Sequence, residues 1–530
     1  MNKFDGRTKF IFVTGGVISG IGKGIVAASI ANILKARGFK IFVQKLDPYL
    51  NLDPGVLSPY EHGEVYVTQD GGETDLDLGH YERFTDEKLT KDSNFTSGKI
   101  FQNLIDKERS GHYHGKTVQI VPHFTNEIID IIVNTAKKHN PDFLIIEIGG
   151  TVGDMESTAF IRAIAEFGSF NSEITHYIHT TYIPFLETSK DFKTKPTQYS
   201  ISSLLSMGIK PHTIILRAHN KLPVEICEKI SKSVFLSREN IIPLHDVESV
   251  YEIPLYLESL NLAKNIMKHF KMKDKNPNHE EWTNFVNKIN QPKNKQVTIG
   301  MVGKYTTFED AYKSVNEALF ISSIHQSIDL KIKWISSEEI NAQNVSSKLS
   351  QLDGVVILPG FGLRGFEGKI EVALYTREND IPTLGICLGM QVMTIAQARL
   401  IGYKDANSSE VCETGTMIFH LINKGDDMLG GTLRLGESTV EFKKDTLFRE
   451  VYGKESAKER HRHRYEVNKE YSNQLEKNDF SFSGFDNLTG LIETCEVKNK
   501  KFYLGTQYHP EFNSTTLNPH PLFIAFLKSC

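Results

Sequence analysis

Phe10-Ile11-Phe12-Val13-Thr14-Gly15-Gly16-Val17-Ile18-Ser19-Gly20-Ile21-Gly22-Lys23-Gly24 reads as a strand, a glycine-rich turn and the start of a helix whose pattern runs from Ile25 to Arg37. The apolar run is continuous rather than alternating, which marks a strand buried on both faces and hence a parallel sheet covered by helices. Glycines let backbone N–H groups close around phosphate oxygens, the helix N-terminus adds positive potential, and Lys23 adds a full charge. The turn departs from the usual phosphate-loop spacing. Val17 holds the first glycine position, and Gly24 replaces the hydroxyl residue that ligates magnesium, so carboxylates must hold the metal. Asp75 and Asp77 share a face if extended, and Glu147 ends the run Phe143 to Ile146, where α/β sheets bind ligands. A solvated acidic loop at 75–77 and a helix cap at Glu147 are the other readings.

Further β-rich runs, Ile41 to Val43 and Ile214 to Leu216, alternate with helical patterns. Polar stretches at 271–279 and 291–295 interrupt the series, with a short helix expected over Glu280 to Ile289 between them. A second series begins at Val297 to Val302 and continues through Val355 to Leu358. The expected organisation is therefore two α/β domains, residues 1–270 and 297–530, joined by a linker at 271–296. A length of 530 residues suits two cores. A net charge of -4 gives no global pull towards nucleic acid or anionic membrane. No apolar run reaches membrane-spanning length and the start lacks a signal-peptide core, so a cytoplasmic protein is expected. Five scattered cysteines without C-x-x-C spacing suggest neither a disulfide framework nor a zinc site.

One cysteine is different. Gly385-Ile386-Cys387-Leu388-Gly389 lies between an apolar run and a helical run, Met390 to Arg399, and reads as a nucleophile elbow with sulfur in place of hydroxyl. A thiol with a pKa of about 8.5 needs a base beside it to work at neutral pH. His509-Pro510-Glu511 supplies one: proline biases His509 to extended backbone, where residues two apart point the same way and Glu511 orients the imidazole. A buried cysteine and a loop His-Pro are the bland readings of each piece alone. Leu358-Pro359-Gly360-Phe361-Gly362 follows a strand, and its glycine N–H groups suit an oxyanion hole. Residues 362–369 read as a mobile lid or as plain flexible loop.

Gly385 to Gln391 with His509-Pro510-Glu511-Phe512 resembles the class I, triad-type glutamine amidotransferases, in which the cysteine forms a thioester with glutamine and releases ammonia. Val13 to Gly24 resembles the synthetase domain of the CTP synthases, as do Lys45-Leu46-Asp47-Pro48-Tyr49, His62-Gly63-Glu64-Val65, Asp75 to Phe84, Gly149 to Ser157, Lys193 to Gln198 and Glu459 to Asn468. The likeness spans nearly the whole chain. It implies a phosphate-loop domain of the dethiobiotin-synthetase type followed by a class I glutaminase domain. The implied reaction converts UTP to CTP, the last step of de novo CTP synthesis: ATP phosphorylates the uracil 4-oxygen, and ammonia from glutamine displaces the phosphate.

The resemblance also implies residue roles. Gly20, Ile21, Gly22, Lys23, Gly24, Lys45, Asp77, Asp246 and Val247 would serve ATP and its phosphates, and Asp77 and Glu147 would hold Mg2+. Ser19, Lys193, Thr194, Lys195, Pro196, Thr197, Gln198 and Lys229 would bind UTP, and Asp154, Met155 and Glu156 would contact CTP as feedback inhibitor. Gly360, Leu388, Gly389, Met390, Gln391, Glu410 and Arg464 would bind glutamine, and His62 and Val65 would gate the ammonia route. GTP is the implied activator and a homotetramer, in some members a filament, the implied assembly. Taken without the family, Lys193 to Lys195 and Arg464 read as solvated basic stretches. Departures are Pro359 for a glycine, which removes an N–H, Lys190-Asp191-Phe192 for a Gly-Glu pair, His114 for leucine, and Ser233-Val234 for Phe-Cys. Two rivals remain: an amidotransferase acting on cobyrinic acid, and a silent scaffold. A carboxylate substrate needs no triphosphate-binding lysines at 193–198, and a scaffold needs neither Cys387 nor Lys23.

Overall fold

The computed structural model describes residues 4–422 and 433–530. The chain forms two compact units, one of residues Met1–Asp53 and His80–Val286, the other of Pro54–Gly79 and Asn287–Cys530. This division differs from the expected domains at 54–79, which lie with the second unit.

In the first unit, β1 (Lys9–Gly15), β2 (Ile41–Asp47), β3 (Asn94–Thr96), β4 (Phe143–Ile148), β5 (Thr175–Tyr182), β6 (Thr213–Ala218) and β7 (Ile241–His245) make one sheet in the order β7-β6-β5-β1-β4-β2-β3. Every pairing is parallel. Phe10, Ile11, Phe12 and Val13 have no solvent exposure, as their unbroken apolarity requires, because helices pack on the sheet. The first helix, α1, runs over Lys23–Lys35, two residues earlier than its apolar spacing predicts. Gly22 caps it at φ 88, a left-handed conformation open to glycine, so Lys23 is its first residue. A second helix that matters below, α2, spans Lys195–Ser206. The helix expected over Glu280–Ile289 is present and buries Trp282, Phe285 and Val286.

The second unit carries β8 (Lys295–Gly303), β9 (Ile328–Ser336), β10 (Gly354–Ile357), β11 (Thr383–Ile386), β12 (Arg434–Phe442), β13 (Ser456–His463), β14 (Phe480–Asp486), β15 (Ile492–Val497) and β16 (Tyr503–Thr506). The sheet order is β9-β8-β10-β11-β16-β15-β14-β12-β13. Pairings from β9 to β16 are parallel, whereas β15, β14, β12 and β13 add an antiparallel wing. Helices α3 (Phe366–Glu378) and α4 (Leu388–Leu400) follow β10 and β11 and pack together over the sheet. Because β10, β11 and β16 are neighbours and parallel, the segments leaving their C-terminal ends emerge side by side.

Residues 54–79 join this unit through polar bonds. Ser314 N donates to the Glu64 carboxylate at 2.9 Å, Arg460 Nη1 donates to Val67 O at 3.1 Å, and Arg462 Nε donates to Glu73 Oε1 at 2.9 Å. The partners are hundreds of residues apart, so no local pattern announces them.

Candidate active site

Cys387 stands at the turn between β11 and α4 with φ 53 and ψ -104. A positive φ is strained for a residue with a side chain, and the strain turns the thiol out at the end of the sheet. Its N–H donates to Thr506 O at 2.6 Å, which ties the elbow to β16. A Cβ on Gly389 would lie 2.2 Å from Ile357 O, so the missing side chain lets α4 rest against β10. The thiol is almost fully buried, and Gln507 Nε2 lies 3.6 Å from its sulfur. Gln391 is also buried and donates to Gln507 Oε1 at 3.2 Å, so it reaches Cys387 through Gln507.

His509 leaves the end of β16, and its Nδ1 is 2.7 Å from Glu511 Oε1. The expected bond forms, but on a different backbone: Pro510 begins a 3-10 turn over Pro510–Asn513 rather than continuing an extended segment. Proline suits the first position of such a turn because the N–H it lacks has no partner there. The ring is held from a second side by stacking on Phe512, with centroids 5.1 Å apart. Burial alone would depress the imidazole pKa, yet the Glu511 carboxylate and the charge of Cys387 push it up to about 10. His509 Nε2 is buried and within the influence of the Cys387 sulfur, the atom that shares with Glu511 the raising of the imidazole pKa. The site brings together a buried thiol, an imidazole and a carboxylate bonded to that imidazole.

Directly after β10 ends at Ile357, the chain turns through Leu358 to Gly362. The Gly362 N–H donates to Glu410 Oε1 at 2.6 Å, Lys304 Nζ donates to Phe361 O, and Lys369 Nζ donates to Leu358 O at 2.6 Å. Burial raises the Glu410 pKa, while the Gly362 bond and the charges of Lys304, Arg464 and Lys369 lower it. Glu410 and Arg464, far apart in sequence, are therefore neighbours here. The expected lid at 362–369 is a shorter loop than the sequence suggests. Helix α3 starts at Phe366, and Phe366 and Lys369 are each 1% exposed.

A cavity of about 190 Å³ opens on this arrangement, lined by Cys387, His509, Gly360, Arg462, Tyr305 and Val65 among others. Val65 thus lies on the cavity wall, whereas His62 ends the turn Pro59–His62 outside the lining. Met390 is fully buried against Gly505, so Gly389 and Met390 face packing rather than the cavity. Sequence reading missed Lys304, Lys369, Tyr305 and Arg462. Two alternating basic residues on one strand, Arg460 fully buried and Arg462 half-buried, were a signal in the Glu459 to Asn468 run.

In the first unit the glycine turn lies at the end of β1. Lys23 Nζ donates to Gly150 O at 2.7 Å, and Val152 N donates to Gly15 O at 2.8 Å, which brings the 149–156 loop beside it. Asp246 accepts from Arg217 Nη2 at 2.7 Å, and a Cβ on Gly22 would lie 4.0 Å from Arg217 Nε. Val247 follows, half-buried. Lys45 and Glu147 are register partners on β2 and β4, and Lys45 Nζ lies 3.6 Å from Asp47 Oδ1. Glu147 is 2% exposed and accepts a hydrogen bond from Tyr81. Asp75 and Asp77 are not extended: Asp77 starts a helix, Asp77–Thr85, and its N–H donates to Asp75 Oδ1 at 2.9 Å.

Ser19 and Asp154, Met155 and Glu156 are exposed, and Gly153 lies against Ser203 of α2. Lys195 and Pro196 open α2, Thr197 donates to Tyr182 O at 2.9 Å, and Gln198 Nε2 donates to Thr194 Oγ1 at 3.2 Å. Lys193 pairs with Asp191 at 3.0 Å, and its hydrogen bond lowers the Asp191 pKa, with Lys229 adding a smaller effect. Lys193 and Lys229 are thereby placed together around the departing residue Asp191. Ser233 bonds back to Ile230 O, and the adjacent aromatic, Phe235, is 87% exposed at φ 54.

Comparison with known proteins adds an independent finding. Residues 9–272 match a family model described as CTP synthase N-terminus, and residues 307–529 match one described as glutamine amidotransferase class-I. The chain is similar to a CTP synthase of Mycoplasmopsis pulmonis, 56% identical over 526 residues that cover 98% of each chain. It is 46% identical to a CTP synthase of Ruminiclostridium cellulolyticum, again over 98% of each, and 44% identical to one of Bacteroides fragilis over 99% of each.

Proposed function

Because the chain belongs to the CTP synthase family, a family of glutamine-dependent ligases, we propose that its two units divide one amination between them, with ammonia made in the second and used in the first. The observation that carries this reading is the convergence, at three neighbouring strand ends of the second unit, of a strained Cys387, the bonded pair His509 and Glu511, and the amide of Gly360. The Cys387 thiolate attacks the side-chain amide carbon of glutamine, and the carbonyl oxygen becomes an oxyanion beside the Gly360 N–H. Collapse breaks the C–N bond, His509 gives a proton to the leaving nitrogen, and ammonia departs from a thioester. Water, losing its proton to His509, then cleaves the thioester to glutamate. Glu511 holds the ring in the tautomer that presents Nε2 to these transfers.

In the first unit, ATP converts the uracil 4-oxygen of UTP into a phosphate leaving group, and ammonia adds at that carbon and expels it. Lys23 and Lys45 serve the phosphates, with Gly20 to Gly24, Asp246 and Val247 around ATP. Ser19, Lys193 to Gln198 and Lys229 hold UTP, and Asp154 to Glu156 receive CTP. The carboxylates of Asp77 and Glu147 are hard oxygen donors of the kind magnesium prefers, and they would hold that ion. Bound there, magnesium would neutralise charge on the transferred phosphate. GTP as activator, His62 and Val65 as a gate, a cytoplasmic homotetramer and filament formation complete the proposal. Among the described residues no helix is long and apolar enough to cross a membrane.

The test is CTP formation from UTP, ATP and magnesium with glutamine or ammonium chloride as nitrogen source. Wild type should use both, and Cys387→Ala should lose the glutamine route alone. Loss of both routes in a folded Cys387→Ala protein, or retention of both, would overturn the assignment.

A further inference from the structure

The loop that carries Gly360 is gripped from beneath by two lysines. Lys369, on α3, is fully buried; its Nζ donates to Leu358 O at 2.6 Å and reaches Pro359 O at 3.5 Å. Lys304, at the end of β8, donates through Nζ to Phe361 O. A Cβ on Gly360 would sit 3.5 Å from Lys304 Cε and 3.8 Å from Lys369 Nζ, so both lysine side chains lie against this residue. Three carbonyls of one short loop thus point at two cations.

We propose that Lys369, assisted by Lys304, is a positioning residue that aims the Gly360 N–H at the glutamine carbonyl; the inference rests on the glutaminase reading above. The reason lies in peptide geometry. The Pro359–Gly360 bond is trans, and in a planar trans peptide the C=O and N–H point in opposite directions. Holding the Pro359 carbonyl down on Lys369 therefore turns the Gly360 N–H up, away from the cations. That N–H has no hydrogen-bond partner among the described residues, and Gly360 lines the cavity with Cys387. Pro359 itself offers no N–H, so no amide on the N-terminal side of Gly360 in this loop can substitute if its direction slips.

The surroundings of Lys369 argue that its amine is there for the loop. Burial and the like charge of Lys304 bring its pKa down to about 7, with Cys387 and Glu410 opposing them. A buried amine so depressed is costly to keep, and methionine would fill the same space without that cost.

The test uses Lys369→Met and Lys304→Met in the full chain, with glutamine hydrolysis and alkylation of Cys387 by iodoacetamide as separate readouts. Alkylation passes through no oxyanion, so it reports the thiol and the folded site but not the Gly360 amide. Lys369→Met should lower kcat for glutamine hydrolysis about 100-fold, the scale of losing one oxyanion donor, and Lys304→Met about 10-fold. The glutamine KM and the alkylation rate should stay within about twofold of wild type, the pattern of an interaction made only in the transition state. An unchanged kcat in both variants overturns the proposal. So does alkylation that falls in step with kcat, which would assign the lysines to the thiolate or to packing. If Lys369→Met does not fold, Lys304→Met decides by the same criteria. Cys387→Ala in the same assay separates the two readings, because residual glutamine hydrolysis there would refute the glutaminase assignment itself.

Discussion

Replacing Gly389 by alanine should cripple glutamine hydrolysis without touching a reacting group. The added Cβ would stand 2.2 Å from Ile357 O and 3.1 Å from Ile357 C, both backbone atoms of β10. A backbone carbonyl in a sheet cannot rotate away as a side chain would, so α4 has to retreat. Regaining ordinary contact at 3.4 Å means a displacement of about 1.2 Å, the difference between the two distances. Cys387 is the residue on which α4 begins, and its N–H is pinned to Thr506, so the retreat falls on the elbow itself. A misplacement of about 1 Å in a catalytic constellation costs on the order of 100-fold in rate. The assay is glutaminase kcat alongside ammonium-dependent CTP formation, with Tm as a check on folding. The expected result is a loss of about 100-fold in the first and none in the second. A Gly389→Ala enzyme that keeps glutaminase kcat within about threefold of wild type would show that the elbow tolerates displacement, and the argument from close packing would fall.

Other outcomes follow from the same geometry. The raised pKa of His509 means that its protonated form is favoured in the folded chain; it contributes stability below about 6.5 that is lost as pH rises through about 10. Glu511→Gln removes the nearest carboxylate, so the alkaline limb of glutaminase kcat/KM should move down by about one pH unit or more, as a pH-rate profile would show. Arg462→Met strips the buried Glu73 of its partner and should cost about 3 kcal/mol, read as a lower midpoint in urea unfolding and faster proteolysis within residues 54–79. Asp191→Asn releases Lys193 from its exposed pair and should lower the UTP KM about threefold, an effect that salt abolishes; an unchanged KM would take Lys193 out of the UTP site.

What the sequence made legible was whatever is written locally. Phe10 to Val13 and Phe143 to Ile146 announce buried parallel strands because nothing polar interrupts them. Gly385 and Gly389 around Cys387 announce the elbow because the turn needs glycine at those two positions for steric reasons that no other residue satisfies. His509 and Glu511 were legible because they are two apart, and their bond survived although the backbone between them is a 3-10 turn. What stayed hidden is written at long range. Segment 54–79 belongs with the second unit because Arg460 and Arg462 hold Val67 and Glu73, some 390 residues away. The antiparallel wing from β12 to β15 lacks the long apolar runs of the parallel strands, since its polar residues, such as His461, His463 and Glu493, are buried in a mutual network. Lys369 read as the last residue of a mobile lid or flexible loop because a charged residue in a glycine-rich stretch usually lies in one. Its burial depends on Leu358 and Pro359, whose carbonyls no sequence pattern displays.

The central claim, that Cys387 carries the acyl group of glutamine, can be tested by acid-quenching the enzyme within its first turnover and mapping the modified peptide by mass spectrometry. The account predicts one glutamyl group on the peptide containing Cys387, formed in wild type and absent from Cys387→Ala, with one ammonia released per adduct. A first-turnover burst of ammonia with no adduct on Cys387, or with the adduct on Cys412 or Cys495, would contradict it.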